Sequence, residues 1–208
     1  MTTIDEYQLG PSTYKVVERP RDINGNLFRA EVTLAPSNVV LANHCHPVTE
    51  EKIAVKTGTL QVSYPDRKIL VGPGDSYTVR RGEGHIVRNA GNDFVHFSWT
   101  SAPAPGLDKM VEKTSRLGNA AACLNAIFTL EDFLNNSLSG KSVSAAEAFS
   151  TVGRTIDEAG GLRSLCQAAA ILLEHKNVMA GMAPAAVREK LLDLLATLPF
   201  ENNESNDL

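Results

Sequence analysis

The tripeptide His44-Cys45-His46 constrains this chain more than any other part of its sequence. Successive side chains of a β-strand point to opposite faces, so the two imidazoles project together while the Cys45 thiol faces the other way. Two imidazoles with a nearby carboxylate suit Fe, Mn, Ni, Cu or Zn better than Ca²⁺ or Mg²⁺. The tripeptide therefore indicates a strand that presents a transition-metal site on one of its faces.

A pair of glutamates after the turn at residues 47–49 offers the carboxylate. The alternation of the following strand indicates which glutamate faces the histidines. Glu51 lies in phase with the apolar Ile53 and Val55, whereas Glu50 lies in phase with lysines. The inward carboxylate is therefore predicted to be that of Glu51.

A second stretch, residues 72–89, supplies a third imidazole. A turn that contains glycine and proline opens the stretch, and in the strand that ends it His85, Val87 and Asn89 share one face. His85 lies about forty residues after the first two histidines. A β-fold that brings the two stretches together would gather three histidines and one glutamate.

These two stretches resemble the two sequence motifs of the cupin superfamily. The first motif reads HxH, four residues, glutamate, six residues and glycine, and it fits His44, His46, Glu51 and Gly58. The second reads glycine, five residues, P-x-G, two residues, histidine, three residues and asparagine, and it fits Gly74, Gly82, His85 and Asn89. Both motifs occur in the right order, which makes the resemblance far more specific than a lone HxH.

The resemblance covers about residues 28–100 and departs from the motifs at two positions. Arg80 replaces the usual proline, which removes a fixed φ and loosens that loop slightly. Asn38 stands where the first motif usually opens with glycine. Asparagine tolerates the left-handed conformation better than other non-glycine residues, so this second departure is mild.

The resemblance implies a mainly β fold, the cupin-type double-stranded β-helix or jelly-roll barrel, followed here by a C-terminal helical region. It also implies that a divalent transition metal, such as Fe, Mn, Ni or Zn, is bound by His44, His46, Glu51 and His85. Four ligands on an ion that accepts six leave two positions for water, O₂ or a substrate oxygen. The alternative is a cupin barrel without metal, in which the histidines are ordinary polar strand residues.

Four further residues are candidates for the wall of the pocket, namely His96, Tyr64, Tyr77 and Arg80. His96 faces the pocket if Phe94 and Ser98 face inward, and it faces outward if Val95, Phe97 and Trp99 do. The second set is larger and more apolar, which favours the outward orientation. Arg80 would meet an anionic substrate or lie on a solvated rim, and the two tyrosines are common strand residues.

The chain changes character after its β-rich part. Residues 1–100 are predicted to form the barrel with its N-terminal lead-in, residues 101–106 a linker, residues 107–200 a helical segment, and residues 201–208 a disordered tail. Ser144 to Glu147 form a capping box, and Pro184 is predicted to open the last helix. The apolar stripes predicted for the first and last helices are Leu117, Ala121, Leu124 and Phe128, and Val187, Leu191, Leu194 and Leu198.

These helices need a surface on which to bury their apolar stripes. One interpretation is that they pack on the barrel or on a second subunit. The other is that they form a lid over the mouth of the barrel and shape the ligand pocket. The cupin resemblance does not extend to this region.

Charge and cysteine content favour a cytoplasmic protein with no nucleic-acid or membrane partner. The net charge is −4, and residues 101–208 hold 13 acidic against 9 basic side chains, which argues against DNA binding by the helices. No apolar run approaches the ~18 residues of a membrane helix, and the N-terminus lacks the pattern of a signal peptide. The three scattered cysteines do not form a disulfide framework.

The function predicted from the sequence is that of a metal-binding cupin that acts on a small organic molecule. A dioxygenase is the leading class, because the cupin resemblance includes many such enzymes, although isomerases and decarboxylases also belong to the superfamily. The contrasting hypothesis is a non-catalytic cupin module that binds or senses a small ligand. A homodimer is compatible with the apolar helices.

Overall fold

The computed structural model of the chain describes residues 5–9, 11–20, 26–36 and 43–198. Within these residues the β-rich part comes first and the helical part second, as the sequence predicts. The strands are β1 Asp5–Leu9, β2 Ser12–Glu18, β3 Phe28–Leu34, β4 His44–Cys45, β5 Glu50–Thr57, β6 Leu60–Ser63, β7 Lys68–Val71, β8 Ser76–Val79, β9 Ile86–Asn89, β10 Val95–Ala102 and β11 Ala180–Gly181. The helices are α1 Leu107–Ser115, α2 Ala120–Leu138, α3 Ala145–Glu158, α4 Leu162–Glu174 and α5 Ala185–Thr197.

The strands form a β-sandwich-like arrangement, which confirms the predicted cupin-type jelly roll with C-terminal helices. The larger sheet has the order β1-β2-β3-β10-β5-β8, and a smaller one has the order β7-β6-β9. A third, two-stranded sheet joins β4 to β11, so a strand from the helical half pairs with the strand that carries His44. The β-rich and helical halves are therefore linked by main-chain hydrogen bonds as well as by side-chain packing.

Alternating burial along the strands follows the sequence pattern closely. In β3, Phe28, Ala30, Val32 and Leu34 are buried, and the residues between them are half-buried. Burying a Phe, Val or Leu side chain contributes about 1.5–3 kcal/mol each, so this phase is strongly favoured over a one-residue slip.

The end of β10 differs from the sequence-based boundary. The strand continues to Ala102, two residues into the predicted linker at 101–106, because Ser101 and Ala102 still pair with β5. Gly106 then adopts a positive φ immediately before α1. Buried residues of the sheets and of the helices belong to one continuous apolar cluster, so the predicted domain boundaries do not separate two cores.

The helices confirm some of the predicted details and correct others. The Ser144 hydroxyl accepts a hydrogen bond from the Glu147 amide at 3.2 Å, as the capping box predicts, and Pro184 directly precedes α5. Leu117 lies in the connection between α1 and α2 and not in a helix. Leu194 is 57% exposed because α5 turns Arg188 toward the interior. The predicted stripe of the last helix was therefore wrong at Leu194.

Some predictions fall outside the described residues. These are Asn38 in the first motif, residues 1–4, 10 and 21–25 of the N-terminal lead-in, residues 199–200 of the helical segment, and the tail at 201–208. Among the described residues, no helix combines the length and the apolarity needed to span a membrane.

The glycine that ends the first motif allows two strands to approach closely. Gly58 has a φ of +78°, and a Cβ at this position would lie 2.7 Å from Cγ2 of Val95. Gly74 has a φ of +85°, but a Cβ there would meet no atom within 4 Å. The two positions thus share the conformational requirement and differ in the space around them.

We expect the substitution Gly58→Ala to destabilise the fold more than Gly74→Ala, with urea unfolding as the measurement. Both variants carry the cost of a left-handed L-residue, about 1–2 kcal/mol. Only Gly58→Ala adds overpacking against Val95, which costs about a further 1–3 kcal/mol. Equal losses of unfolding free energy in the two variants would contradict the close approach of Gly58 to Val95.

Candidate metal centre

Main-chain hydrogen bonds bring the two sequence motifs together at a pair of histidines. The amide of His44 donates to the carbonyl of His85 at 3.2 Å, and the amide of His85 donates to the carbonyl of His44 at 2.9 Å. The Gly82 amide also donates to the carbonyl of His46 at 3.0 Å. This local antiparallel pairing explains why residues about forty positions apart present their side chains to the same space.

Three imidazoles converge in that space. The rings of His44, His46 and His85 have centroids 4.6 to 5.6 Å apart, and one ring nitrogen of each lies within 4.8 Å of the others. All three side chains are buried, with exposed fractions of 5%, 2% and 0%. Within the described part of the chain, this set could hold a metal ion.

The carboxylate of Glu51 completes the cluster. Alternation in β5 buries Glu51, Ile53 and Val55 and exposes Glu50, as the sequence predicts. Oε2 of Glu51 lies 2.9 Å from Nε2 of His46 and 3.8 Å from Nε2 of His85.

Hydrogen bonds on the far side of two rings determine which nitrogen faces the cluster. Nδ1 of His46 lies 2.8 Å from the carbonyl of Val178, and Nδ1 of His85 lies 3.0 Å from the carbonyl of Glu83. A carbonyl can only accept, so each Nδ1 carries the proton, and in the neutral ring Nε2 presents a lone pair. These two Nε2 atoms are buried and make no hydrogen bond of good geometry within the described residues.

This arrangement fits a cation. In the neutral ring, the lone pair of His46 Nε2 faces a carboxylate oxygen at 2.9 Å, and two acceptors repel each other at that distance unless a proton or a metal ion lies between them. Imidazole nitrogens with one carboxylate are a donor set that suits Fe, Mn, Ni or Zn. The residues therefore fit the kind of metal that the cupin motifs imply.

Burial and mutual attraction shift the pKa values of this cluster. Burial alone would raise the pKa of Glu51, but the close contact with His46 and His85 and their electrostatic attraction outweigh it and lower the pKa. Burial would lower the pKa of His85, yet contact with the Glu51 carboxylate and the Glu83 carbonyl raises it. The carboxylate is thus ionised at neutral pH.

A cavity opens from this cluster between the sheets and the helices. Its empty space, including the part open to solvent, is about 880 Å³. Apart from the three histidines and Glu51, its described lining is mostly apolar and includes no lysine or arginine. The lining residues are Tyr14, Leu34, Val87, Phe97 and Trp99 from the sheets and Met110, Val111, Thr114, Ala120, Ala121, Leu124 and Met179 from the helical half.

The four pocket candidates chosen from the sequence lie elsewhere. His96 is exposed on the outer face of β10, where Nδ1 lies 3.0 Å from the Thr33 hydroxyl, because Val95, Phe97 and Trp99 occupy the inner face. Arg80 is exposed, and it does not line the cavity. Tyr64 and Tyr77 pack edge to face with centroids 6.4 Å apart, away from the cavity lining.

Sequence reasoning missed Tyr14 and the wall formed by α1. Tyr14 shares the inner face of β2 with Val16, so strand alternation could have indicated it. Burial, with a smaller contribution from the charge of Glu51, raises the pKa of Tyr14 to about 12, so its hydroxyl keeps its proton. The α1 residues in that wall, Met110, Val111 and Thr114, lie at the helical spacing that a period of 3.6 residues displays.

Comparisons with known proteins agree with the β-rich part of this architecture. The family model for the cupin domain matches residues 30–101. No curated protein matches the chain.

Several solved structures resemble the chain. KdgF from Halomonas sp. is 20% identical over 51% of this chain and 92% of its own, with a TM-score of 0.43. A predicted oxalate decarboxylase from Thermotoga maritima is 17% identical over 49% of this chain and 94% of its own, with a TM-score of 0.44. The polyketide cyclase RemF from Streptomyces resistomycificus is 21% identical over 49% and 75%, with a TM-score of 0.41.

Similarities this remote carry no reaction over to the chain. The family match itself spans both histidine motifs and the strands that hold them. The part of the chain that matches the cupin domain model, residues 30–101, is thus the part that carries the two motifs and most of the jelly-roll strands.

Proposed function

We propose that the protein is a metal-dependent cupin enzyme that acts on a small, largely apolar organic molecule, with dioxygenase chemistry as the leading reaction class. The observation that carries this proposal is the pair of facing acceptors, His46 Nε2 and Glu51 Oε2, at the polar end of an otherwise apolar cavity. His44, His46, His85 and Glu51 are the proposed ligands. A bound transition metal would orient and polarise an oxygen-containing substrate there.

The cavity wall supports the proposed substrate class. An apolar lining favours an apolar ligand, and the absence of lysine and arginine from the described lining disfavours a highly charged anion. The Tyr14 hydroxyl and the Trp99 indole N–H are donors in the wall, and Trp99 Nε1 makes no hydrogen bond within the described residues. A substrate with one or two acceptor oxygens on an apolar skeleton would satisfy such donors.

Metal content tests the proposed ligands directly. We expect the purified protein, reconstituted with Fe(II), Mn(II), Ni(II) or Zn(II), to retain one of these metals stoichiometrically by elemental analysis. The double variant His44→Ala, His46→Ala should retain little, because half of the proposed donors are gone. Circular dichroism of both proteins controls for folding, and a folded wild type that retains none of the four metals would refute the proposal.

The pH dependence of metal affinity follows from the pKa shifts. The raised pKa of His85 lets protons compete with the metal from a higher pH than at an ordinary histidine, whereas Glu51 stays ionised because its pKa is lowered. Apparent Zn²⁺ affinity, measured against a chelator, should therefore fall between pH 8 and pH 6, approaching about tenfold per pH unit for each competing proton.

His96→Gln provides the control for this titration, because His96 is exposed on the outer face of β10 and does not line the cavity. This variant should show the same decline as the wild type. A Zn²⁺ affinity that stays constant from pH 8 to pH 6 would contradict the proposed competition at His85.

Turnover distinguishes an enzyme from a binding module. The Fe(II)-loaded protein should consume O₂ in an oxygen electrode with at least one member of a panel of small phenols, cyclic ketones and diketones, and His46→Ala should consume none. Ala121→Phe, which fills the cavity from α2, should abolish consumption while metal content stays unchanged. Ligand-dependent thermal shifts without O₂ consumption would instead favour the non-catalytic binding or sensing function.

A further inference from the structure

The connection between α4 and α5 contacts both histidines of the HxH motif. We call residues 176–181 the strap. Its Val178 carbonyl accepts the hydrogen bond from His46 Nδ1 at 2.8 Å. Two residues later β11 begins and pairs antiparallel with β4, placing Gly181 opposite His44. The strap thus determines which nitrogen of His46 faces the cavity, and it borders the backbone of His44.

A buried arginine holds the strap from α5. Arg188 is 5% exposed, and its two terminal nitrogens donate to the carbonyls of Lys176 at 2.9 Å and of Met179 at 2.8 Å. These two carbonyls lie on either side of Val178 in the chain. A planar guanidinium that binds both fixes the intervening backbone, and with it the acceptor of His46.

A buried glutamate on α2 holds the arginine in turn. Glu131 is fully buried, and its Oε1 lies 3.3 Å from Nε of Arg188. Its Oε2 also borders the strap closely, since a Cβ on Gly181 would clash with it. One turn earlier on α2, the Phe128 ring lies parallel to the His44 ring, with a centroid distance of 6.1 Å and an interplanar angle of 5°.

Burying the pair of Arg188 and Glu131 carries a desolvation cost. Replacing a buried ion pair with apolar residues of similar volume is often neutral or stabilising, so a buried pair is weak evidence for a role in stability. The hydrogen bonds of Arg188 point instead to the strap, and through it to His46. Outer hydrogen-bond partners of metal-binding histidines fix ring orientation and tautomer, and their loss typically costs 10–100-fold in metal affinity.

We propose that Arg188 and Glu131 are positioning residues, which hold the strap so that His44 and His46 are oriented for metal before the metal arrives. The helical half of the chain therefore sets the metal affinity of the cupin half. This inference rests on the proposed metal-binding function.

The test uses the full chain and the double variant Glu131→Gln, Arg188→Met. Removing both charges together leaves no unpaired buried charge and nearly preserves the side-chain volume, so we expect the variant to fold. Its strap loses the donors to Lys176 and Met179. We expect the dissociation constant for Zn²⁺, measured by chelator competition, to rise about 10–100-fold.

A matched control removes an ion pair that is exposed. Lys176 and Glu189 join the same strap to the same helix, with Nζ and Oε1 3.2 Å apart, and both are about half exposed. The variant Lys176→Met, Glu189→Gln should bind Zn²⁺ with an affinity within about twofold of the wild type, because exposed pairs contribute little. If the Zn²⁺ affinity falls only in the variant Glu131→Gln, Arg188→Met, the loss is due to the buried pair.

Hydrogen exchange of the wild type gives a second readout that needs no substitution. Coupling between two sites is reciprocal, so Zn²⁺ must stabilise the strap if the strap favours Zn²⁺ binding. Amides of residues 178–181 should exchange about tenfold more slowly with Zn²⁺ than without it. The amides of α3, none of whose described residues lines the cavity, should exchange at the same rate in both conditions.

The possible outcomes separate the two proposals. Wild-type protein that binds no metal overturns the proposed function and this inference together. If the folded double variant binds Zn²⁺ as tightly as the wild type, the positioning role of Arg188 and Glu131 is overturned and the proposed function stands. If the double variant does not fold, exchange decides: slower exchange in the strap with Zn²⁺ supports the inference, and unchanged exchange overturns it.

Discussion

The contact between His46 Nε2 and Glu51 Oε2 is the interaction on which the surrounding structure depends. A carboxylate and three imidazoles are buried together beside an apolar cavity, where unpaired charge and unpaired acceptors are both costly. Backbone carbonyls offset part of this cost, because they accept hydrogen bonds from Nδ1 of His46 and Nδ1 of His85 on the side away from the cluster. Under the proposed function, a bound metal cation would offset the remaining cost at the centre of the cluster.

Local patterning was sufficient to predict the β-rich part of the fold and the convergence of its polar residues. Strand alternation alone distinguishes the buried Glu51 from the exposed Glu50, because a register error would expose an entire apolar face. The same reasoning leaves His96 on the outer face. These features depend on neighbours within a few residues, which a sequence displays directly.

The helical contribution could not be predicted in the same way. Glu131 and Arg188 lie 57 positions apart, and each by itself resembles a solvated charge on a helix surface. The buried arginine rotates α5, so Leu194 turns toward solvent against the prediction from its apolar stripe. The buried location of each charge depends on its distant partner, and hydrophobic periodicity contains no information about that pairing.

The position of the strap in the chain has a consequence for how the protein is made. Val178 lies 132 residues after His46, so the histidines emerge from the ribosome long before the carbonyl that orients one of them. Contacts of such separation form late, because the intervening loop must first be closed at an entropic cost. The hydrogen bond that orients His46 can therefore form only after the chain through α4 and the first residues of the strap has been synthesised.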